Sequence, residues 1–104
     1  MKPQVVWVTT SSVEEARKIA VAVLNEKLAA CVQIIPGVES HFWWQGTLKG
    51  QLEVLLVLKA DVGHFQALSE MIRANHSYES PEIIAMVPAS VDPAYLQWWS
   101  ETLE

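Results

Sequence analysis

Thr47-Leu48-Lys49-Gly50-Gln51-Leu52-Glu53-Val54-Leu55-Leu56-Val57-Leu58-Lys59 is the stretch whose reading decides the fold. Alternate side chains of a strand share a face. Leu52, Val54, Leu56 and Leu58 therefore lie on one side, and Glu53, Leu55, Val57 and Lys59 on the other. Both sides carry apolar residues, as expected of a strand covered on both faces rather than one washed by solvent. Just before it, Gln45-Gly46 predicts a two-residue hairpin turn, because glycine adopts the positive φ that a tight hairpin needs. The partner is Val38 to Trp44, itself a continuation of Ala29-Ala30-Cys31-Val32-Gln33-Ile34-Ile35 across Pro36-Gly37. Proline and glycine inside a strand mark a bulge or an edge.

Outward from this hairpin the pattern alternates. Toward the N-terminus, Val5-Val6-Trp7-Val8-Thr9 is a short β-branched run that reads as a buried strand. Ser11 and Ser12 each have a glutamate three residues on, Glu14 and Glu15, the spacing of a capping box at a helix start. Ala16, Ile19, Ala20, Val23, Leu24 and Leu28 continue at helical spacing. Toward the C-terminus, Asp61 caps a second predicted helix, with Val62, Phe65, Leu68, Met71 and Ile72 inward, ending near Asn75 or His76. Ile83-Ile84-Ala85-Met86-Val87 is a fourth buried strand, and Asp92-Pro93 starts a short last helix to about Thr102. The order β-α-β-β-α-β plus a helix predicts an α+β, ferredoxin-like split β-α-β sandwich with a long central hairpin and a short C-terminal helix. Residues 1–104 make one domain, too small to hold separate cofactor and substrate domains.

Such a sandwich puts both long helices on one sheet face and leaves the reverse bare. Leu55 and Val57 point away from Leu56 and Leu58, and Ile84 and Met86 away from Ile83, Ala85 and Val87, so whichever face the helices cover, apolar residues remain on its reverse, and a contiguous greasy surface is an interface. A homo-oligomer is expected, with the hairpin around Gln45-Gly46 as an arm onto a neighbour.

Composition narrows the function. An apolar fraction of 51% with 18% charged residues excludes a disordered chain, and no apolar run is long enough for a membrane span. Seven Lys and Arg against twelve Asp and Glu, net −5, argue against a partner tracked through a phosphate backbone, so neither nucleic acid nor membrane is expected. Cys31 is the lone cysteine and has no internal partner, which fits a reducing compartment; with no signal-peptide core at the N-terminus, a cytoplasmic location is expected. There is no CxxC, no HxH and no histidine pair at i, i+4, and His41 and His64 read as surface or edge residues. Trp43 and Trp44 point to opposite faces, so at most one meets any single pocket, and packing against another subunit is the simpler use of both.

One heptad gathers chemistry: His76-Ser77-Tyr78-Glu79-Ser80-Pro81-Glu82, an imidazole, a phenol and two carboxylates between the second helix and the last strand. It reads either as a plain connection or as a ligand site, since functional groups concentrate on loops. Glu53 and Lys59 share the second face of the central strand, and each needs a partner or a ligand if that face is covered. An ion pair is the simplest account of them. Nothing nearby pairs a nucleophile with a base, so no enzyme chemistry is expected.

Taken in order, Glu15-Ala16, Leu28-Ala29-Ala30-Cys31-Val32, Pro36-Gly37, Trp44-Gln45-Gly46, Glu53 through Lys59 and His76-Ser77-Tyr78-Glu79-Ser80-Pro81-Glu82-Ile83 resemble the CutA divalent-cation tolerance family, from Val5 to Trp98. The resemblance implies a cytoplasmic homotrimer, similar in architecture to PII-type signal proteins, associated with tolerance to copper and other divalent cations. It implies a cleft at subunit boundaries formed by His76, Tyr78, Glu82, Glu53 and Lys59, with Trp44 beside it. His76 and Glu53 are the implied ligands of a divalent metal, copper or zinc. Some members carry a cysteine where this chain has Val8, and the missing thiolate argues against a copper-selective site. Cys31 matches the pattern as a packing residue. The alternative is a structural assembly module whose trimer binds protein partners while the heptad only closes a turn.

Overall fold

The computed structural model describes all 104 residues, Met1–Glu104. A four-stranded antiparallel sheet runs in the order β2-β3-β1-β4, formed by β1 (Pro3–Thr10), β2 (Cys31–Trp44), β3 (Thr47–Asp61) and β4 (Ile83–Met86). Helix α1 (Val13–Asn25) joins β1 to β2, α2 (Phe65–Ala74) joins β3 to β4 behind a short 3-10 turn, and α3 (Pro93–Leu103) ends the chain. This is the expected split β-α-β sandwich, with β3 and β1 as the two central strands.

The parity of β3 is realised. Val54, Leu56, Leu58 and Ala60 are buried with Val6 and Val8 of β1, under Ala16, Ile19 and Val23 of α1 and Leu68 and Ile72 of α2. Registers Val6↔Leu58↔Val32 and Val8↔Leu56↔Ile34 line up this face across three strands. Each large aliphatic side chain withdrawn here contributes roughly 1.5–3 kcal/mol. Leu24, read as core, is exposed, and so is Leu52 at the outer end of β3. Leu52 keeps the parity of the core residues but lies beyond the reach of the helices. Hairpin β2–β3 projects past the helical layer, which makes the molecule elongated, 44 × 26 × 22 Å.

Local signals fixed the corners. At the hairpin tip, Gln45 (φ 48°) and Gly46 (φ 77°) both have positive φ, the conformation of a type I′ turn. Pro36-Gly37 makes both predicted features at once, a bulge between Ile35 and Val38 in a strand that lies at the sheet edge. Asp92 Oδ2 accepts from the amides of Ala94 and Tyr95, and Asp61 Oδ1 from those of Gly63 and Lys2. Burial alone would raise the Asp61 carboxyl. The Gly63 and Lys2 amides, helped by His64 and the N-terminal ammonium, outweigh it and hold the carboxyl below its ordinary value. Trp99 is buried, and its indole N–H donates to the Ala60 carbonyl at 3.1 Å, which ties α3 to β3.

The end of α1 is closed by a Schellman motif: Leu28 N–H reaches the Val23 carbonyl and Lys27 N–H the Leu24 carbonyl. Lys27 occupies the left-handed position of that motif, with φ 52°. A side chain there is strained where glycine is not. Lys27→Gly is expected to stabilise the fold by about 1 kcal/mol, read as a higher midpoint in urea with an unchanged slope.

Candidate functional site

His76 is the best-anchored residue of the heptad. Its side chain is 0% exposed, set against Glu15 of α1. Nε2 lies 2.7 Å from the Thr9 carbonyl, and Nδ1 accepts the Tyr78 amide at 3.0 Å. These partners define a neutral ring protonated on Nε2. Both nitrogens are thereby taken, and no lone pair is left for a metal ion. The expectation that His76 ligates copper or zinc does not fit this geometry, nor does any group of three or more His, Cys, Asp and Glu side chains converge in the chain. What His76 does is local: it clamps the loop after α2 to the end of β1.

Glu15 was legible only as a capping residue. Ser12 does cap α1, accepting the Glu15 amide at 3.1 Å. The Glu15 carboxylate, however, points toward the imidazole, with Oε1 3.3 Å from Nδ1 and buried without a donor. Only half of the capping box is made, because the side chain is drawn inward by His76. A second proton on the ring would satisfy Oε1 and would break the Tyr78 amide bond.

The clamp sets the position of Tyr78. Its ring packs at 4.8 Å on the His76 ring, and its hydroxyl donates to Glu53 Oε2 at 2.9 Å while accepting from Gln51 at 2.9 Å. Glu53 is only 9% exposed although it stands on the sheet face that no long helix covers. His76 and Glu53 are thus joined through Tyr78 rather than converging on a common point. Burial pushes the Tyr78 phenol above its usual 10.0; the hydrogen bond to Glu53 and that carboxylate's charge push the same way, with a smaller push from Glu15, while Gln51 opposes.

Lys59 belongs to a second group. Its ammonium donates to Gln33 at 2.9 Å and to the Tyr95 hydroxyl at 3.5 Å, and lies 5.7 Å from the centre of the Tyr95 ring. Six residues of strand, about 20 Å, separate it from Glu53. The simple ion pair between them is therefore not made. Trp44 is exposed at the hairpin tip, paired with Thr47, a further six residues from Glu53 along β3. Glu82 is exposed beside β4. Within one chain, then, the six predicted residues fall into a His76–Tyr78–Glu53 cluster, a Lys59 group and two outliers. Gln51, Gln33 and Tyr95 were not singled out as site residues. Gln51 shares the parity of Glu53, which was the only available signal.

Between the two polar groups the face is apolar. Trp7 (42% exposed) pairs with Val57 and with Ile84 (50%), and Met86 and Ile35 are also exposed on this side.

A split β-α-β sandwich with a projecting hairpin, a bare apolar sheet face and a clamped His-x-Tyr loop defines a ferredoxin-like α+β protein of a particular kind. The family model described as CutA1 divalent ion tolerance protein matches residues 4–102. The chain is 39% identical over 99 residues to the divalent-cation tolerance protein CutA of Escherichia coli, covering 95% of this chain and 88% of that one. It is 42% identical to the chloroplastic CutA 1 of Oryza sativa, over 90% of this chain but 53% of the relative, so it spans about half the length of that plant protein. Among solved structures, CutA from Xylella fastidiosa superposes with a TM-score of 0.94 at 30% identity over the whole of both chains. The Thermus thermophilus protein superposes with 0.92 at 42% identity, over 96% of this chain and 97% of that one. The chain belongs to the CutA1 divalent ion tolerance family.

Tyr78→Phe removes the donor on which the nearly buried Glu53 carboxylate depends. It is expected to destabilise by about 1–3 kcal/mol in urea unfolding at neutral pH. The raised phenol also sets a pH dependence. Below 10.0 both folded and unfolded Tyr78 are neutral and its contribution is complete; above 10.0 the unfolded chain ionises first, so stability falls until the raised folded value is passed. Tyr78→Phe should flatten that alkaline loss, measured as unfolding midpoint against pH.

Proposed function

We propose that this chain is a non-enzymatic homotrimer contributing to divalent-cation tolerance, and that the chemistry of its site is completed where subunits meet. The observation that carries this reading is the bare sheet face. Trp7, Ile35, Ile84 and Met86 present exposed apolar surface there, Leu55 and Val57 extend it, and a projecting hairpin carries Trp43, Trp44 and Leu48 beyond the core. Contiguous apolar surface of this kind is unfavourable in water until another surface covers it. Glu53, Tyr78 and Gln51 border the patch at one end, and Lys59, Gln33 and Tyr95 at the other. A neighbouring subunit that brings the opposite end of its own face alongside forms a cleft with a carboxylate, a phenol and an ammonium. Such a cleft suits a small polar ligand, with Trp44 and Glu82 at its margin, in an arrangement like that of PII-type signal proteins. His76 serves it by positioning Tyr78, and a divalent cation at this place would need donors from more than one chain. The single Cys31, without a disulfide partner, supports a reducing compartment such as the cytoplasm.

A second reading has one observation in its favour. His76 is fully engaged with backbone groups, as a residue that merely closes a turn would be. Under that reading the trimer is an assembly module for protein partners and the heptad binds nothing.

Sedimentation equilibrium decides the first point. The wild-type chain is expected at three times its monomer mass, 11.6 kDa, and Val57→Lys, which places a charge in the middle of the apolar face, is expected at the monomer mass with helical content retained. A wild type that remains monomeric at high concentration would overturn the proposal.

A further inference from the structure

Lys59, Gln33 and Tyr95 come from β3, β2 and α3 and meet at one end of the bare face. Gln33 is the Cα partner of Val57 and so stands on the same side of the sheet as Lys59. Alone among the seven Lys and Arg side chains, Lys59 has its charged head held by other side chains, donating to Gln33 Oε1 at 2.9 Å and to the Tyr95 hydroxyl at 3.5 Å. Tyr95 is itself fixed. Its ring packs on Trp98 at 5.4 Å and edge-on against the buried Trp99 at 6.1 Å.

The direction of these bonds decides what the group can bind. An ammonium has donors and no acceptor. The Gln33 oxygen must therefore face Lys59, which leaves both hydrogens of the amide nitrogen unused. For the same reason the Tyr95 oxygen accepts, and its own proton is left over. With the third ammonium hydrogen, three side chains present donors that find no acceptor in the chain, together with one positive charge. The carboxylates closest in sequence do not neutralise it: Asp61 is engaged by the Gly63 and Lys2 amides and Asp92 by the Ala94 and Tyr95 amides. The close carboxylate pairs of the chain are all made by histidines. The other end of the face has the reverse polarity, because there Gln51 donates to Tyr78 and Tyr78 to Glu53, so the bonds run toward a carboxylate.

We propose that Lys59, Gln33 and Tyr95 are the oxyanion-binding end of the subunit cleft, taking the carboxylate or phosphate group of a small molecule. The ammonium supplies the charge and one N–H, and its charge-assisted hydrogen bond is the strongest of the set. The Gln33 amide and the Tyr95 hydroxyl add neutral donors from β2 and α3. This names the ligand class of the cleft proposed above and rests on that reading for the cleft alone, since all three residues belong to one chain and their donors are organised within it.

Amide NMR of the isotope-labelled full chain, with acetate, inorganic phosphate and chloride added in turn at matched ionic strength, tests the proposal. The Gln33 side-chain amide signal, identified by its loss in Gln33→Glu, is expected to shift saturably with an oxyanion and not with chloride. The Gln51 amide, committed to Tyr78 at the other end, is expected to stay in place. A response to both oxyanions assigns the group to their shared chemistry, and a response to one assigns it to that class. In calorimetry with the responding anion, Lys59→Gln is expected to weaken binding by at least about tenfold, and Tyr95→Phe to weaken it less. Gln33→Glu, a near-isosteric change at an exposed position, gives the ammonium a carboxylate of its own and should abolish binding. No saturable shift with either oxyanion, an equal shift with chloride, or undiminished binding in Gln33→Glu overturns the proposal. Sedimentation equilibrium of the same samples keeps the two readings apart: a trimer that ignores both oxyanions overturns the assignment of the donors, whereas a monomer that answers to them overturns only the homotrimer.

Discussion

The two-sided apolar pattern of β3 is the constraint on which the rest of the structure depends. One set of its side chains, Val54, Leu56, Leu58 and Ala60, is covered by α1 and α2. The other, Glu53, Leu55, Val57 and Lys59, faces away from them. A one-residue slip would exchange the two sets and put a carboxylate and an ammonium under the helices. The hairpin turn at Gln45-Gly46 fixes the register against β2, and pairing with β1 from Pro3↔Asp61 to Thr10↔Val54 fixes it on the other side. With β3 held, the helix face and the bare face are both determined.

Features set by short-range chemistry were legible in the sequence. The type I′ turn needs positive φ and had glycine; the caps at Ser12, Asp61 and Asp92 needed a short polar side chain beside an amide-rich turn; the Pro36-Gly37 interruption had to fall on an edge. The bare apolar face was legible too, because strand parity transmits directly to surface. Partners that meet from far apart were not. His76 bonds a carbonyl 67 residues away, and Tyr78 a carboxylate 25 residues away. Nothing local distinguishes a histidine that donates to a backbone carbonyl from one that ligates a metal. The misreading of Glu15 has the same origin: its spacing suits a capping box, and only the distant imidazole draws its carboxylate elsewhere.

Glu53 bears on why the heptad takes this form. At 9% exposure the Glu53 carboxylate has lost most of its water and must be given donors in return. An apolar residue of similar size would pack there without that demand, and a buried charge contributes little to stability by itself. The chain instead builds a relay: Thr9 and Tyr78 hold the His76 ring, the ring supports the Tyr78 ring, and the phenol donates to Glu53. Each link is short and mostly withdrawn from solvent. The heptad is therefore a support that carries a hydroxyl to a carboxylate, and the polar end of the bare face is organised within the single chain. The Lys59 end is prepared differently, by Gln33 on the adjacent strand and by Tyr95 on α3. An apolar band with a fixed carboxylate at one end and a fixed ammonium at the other is directional, and a directional surface discriminates between the orientations of any surface brought against it.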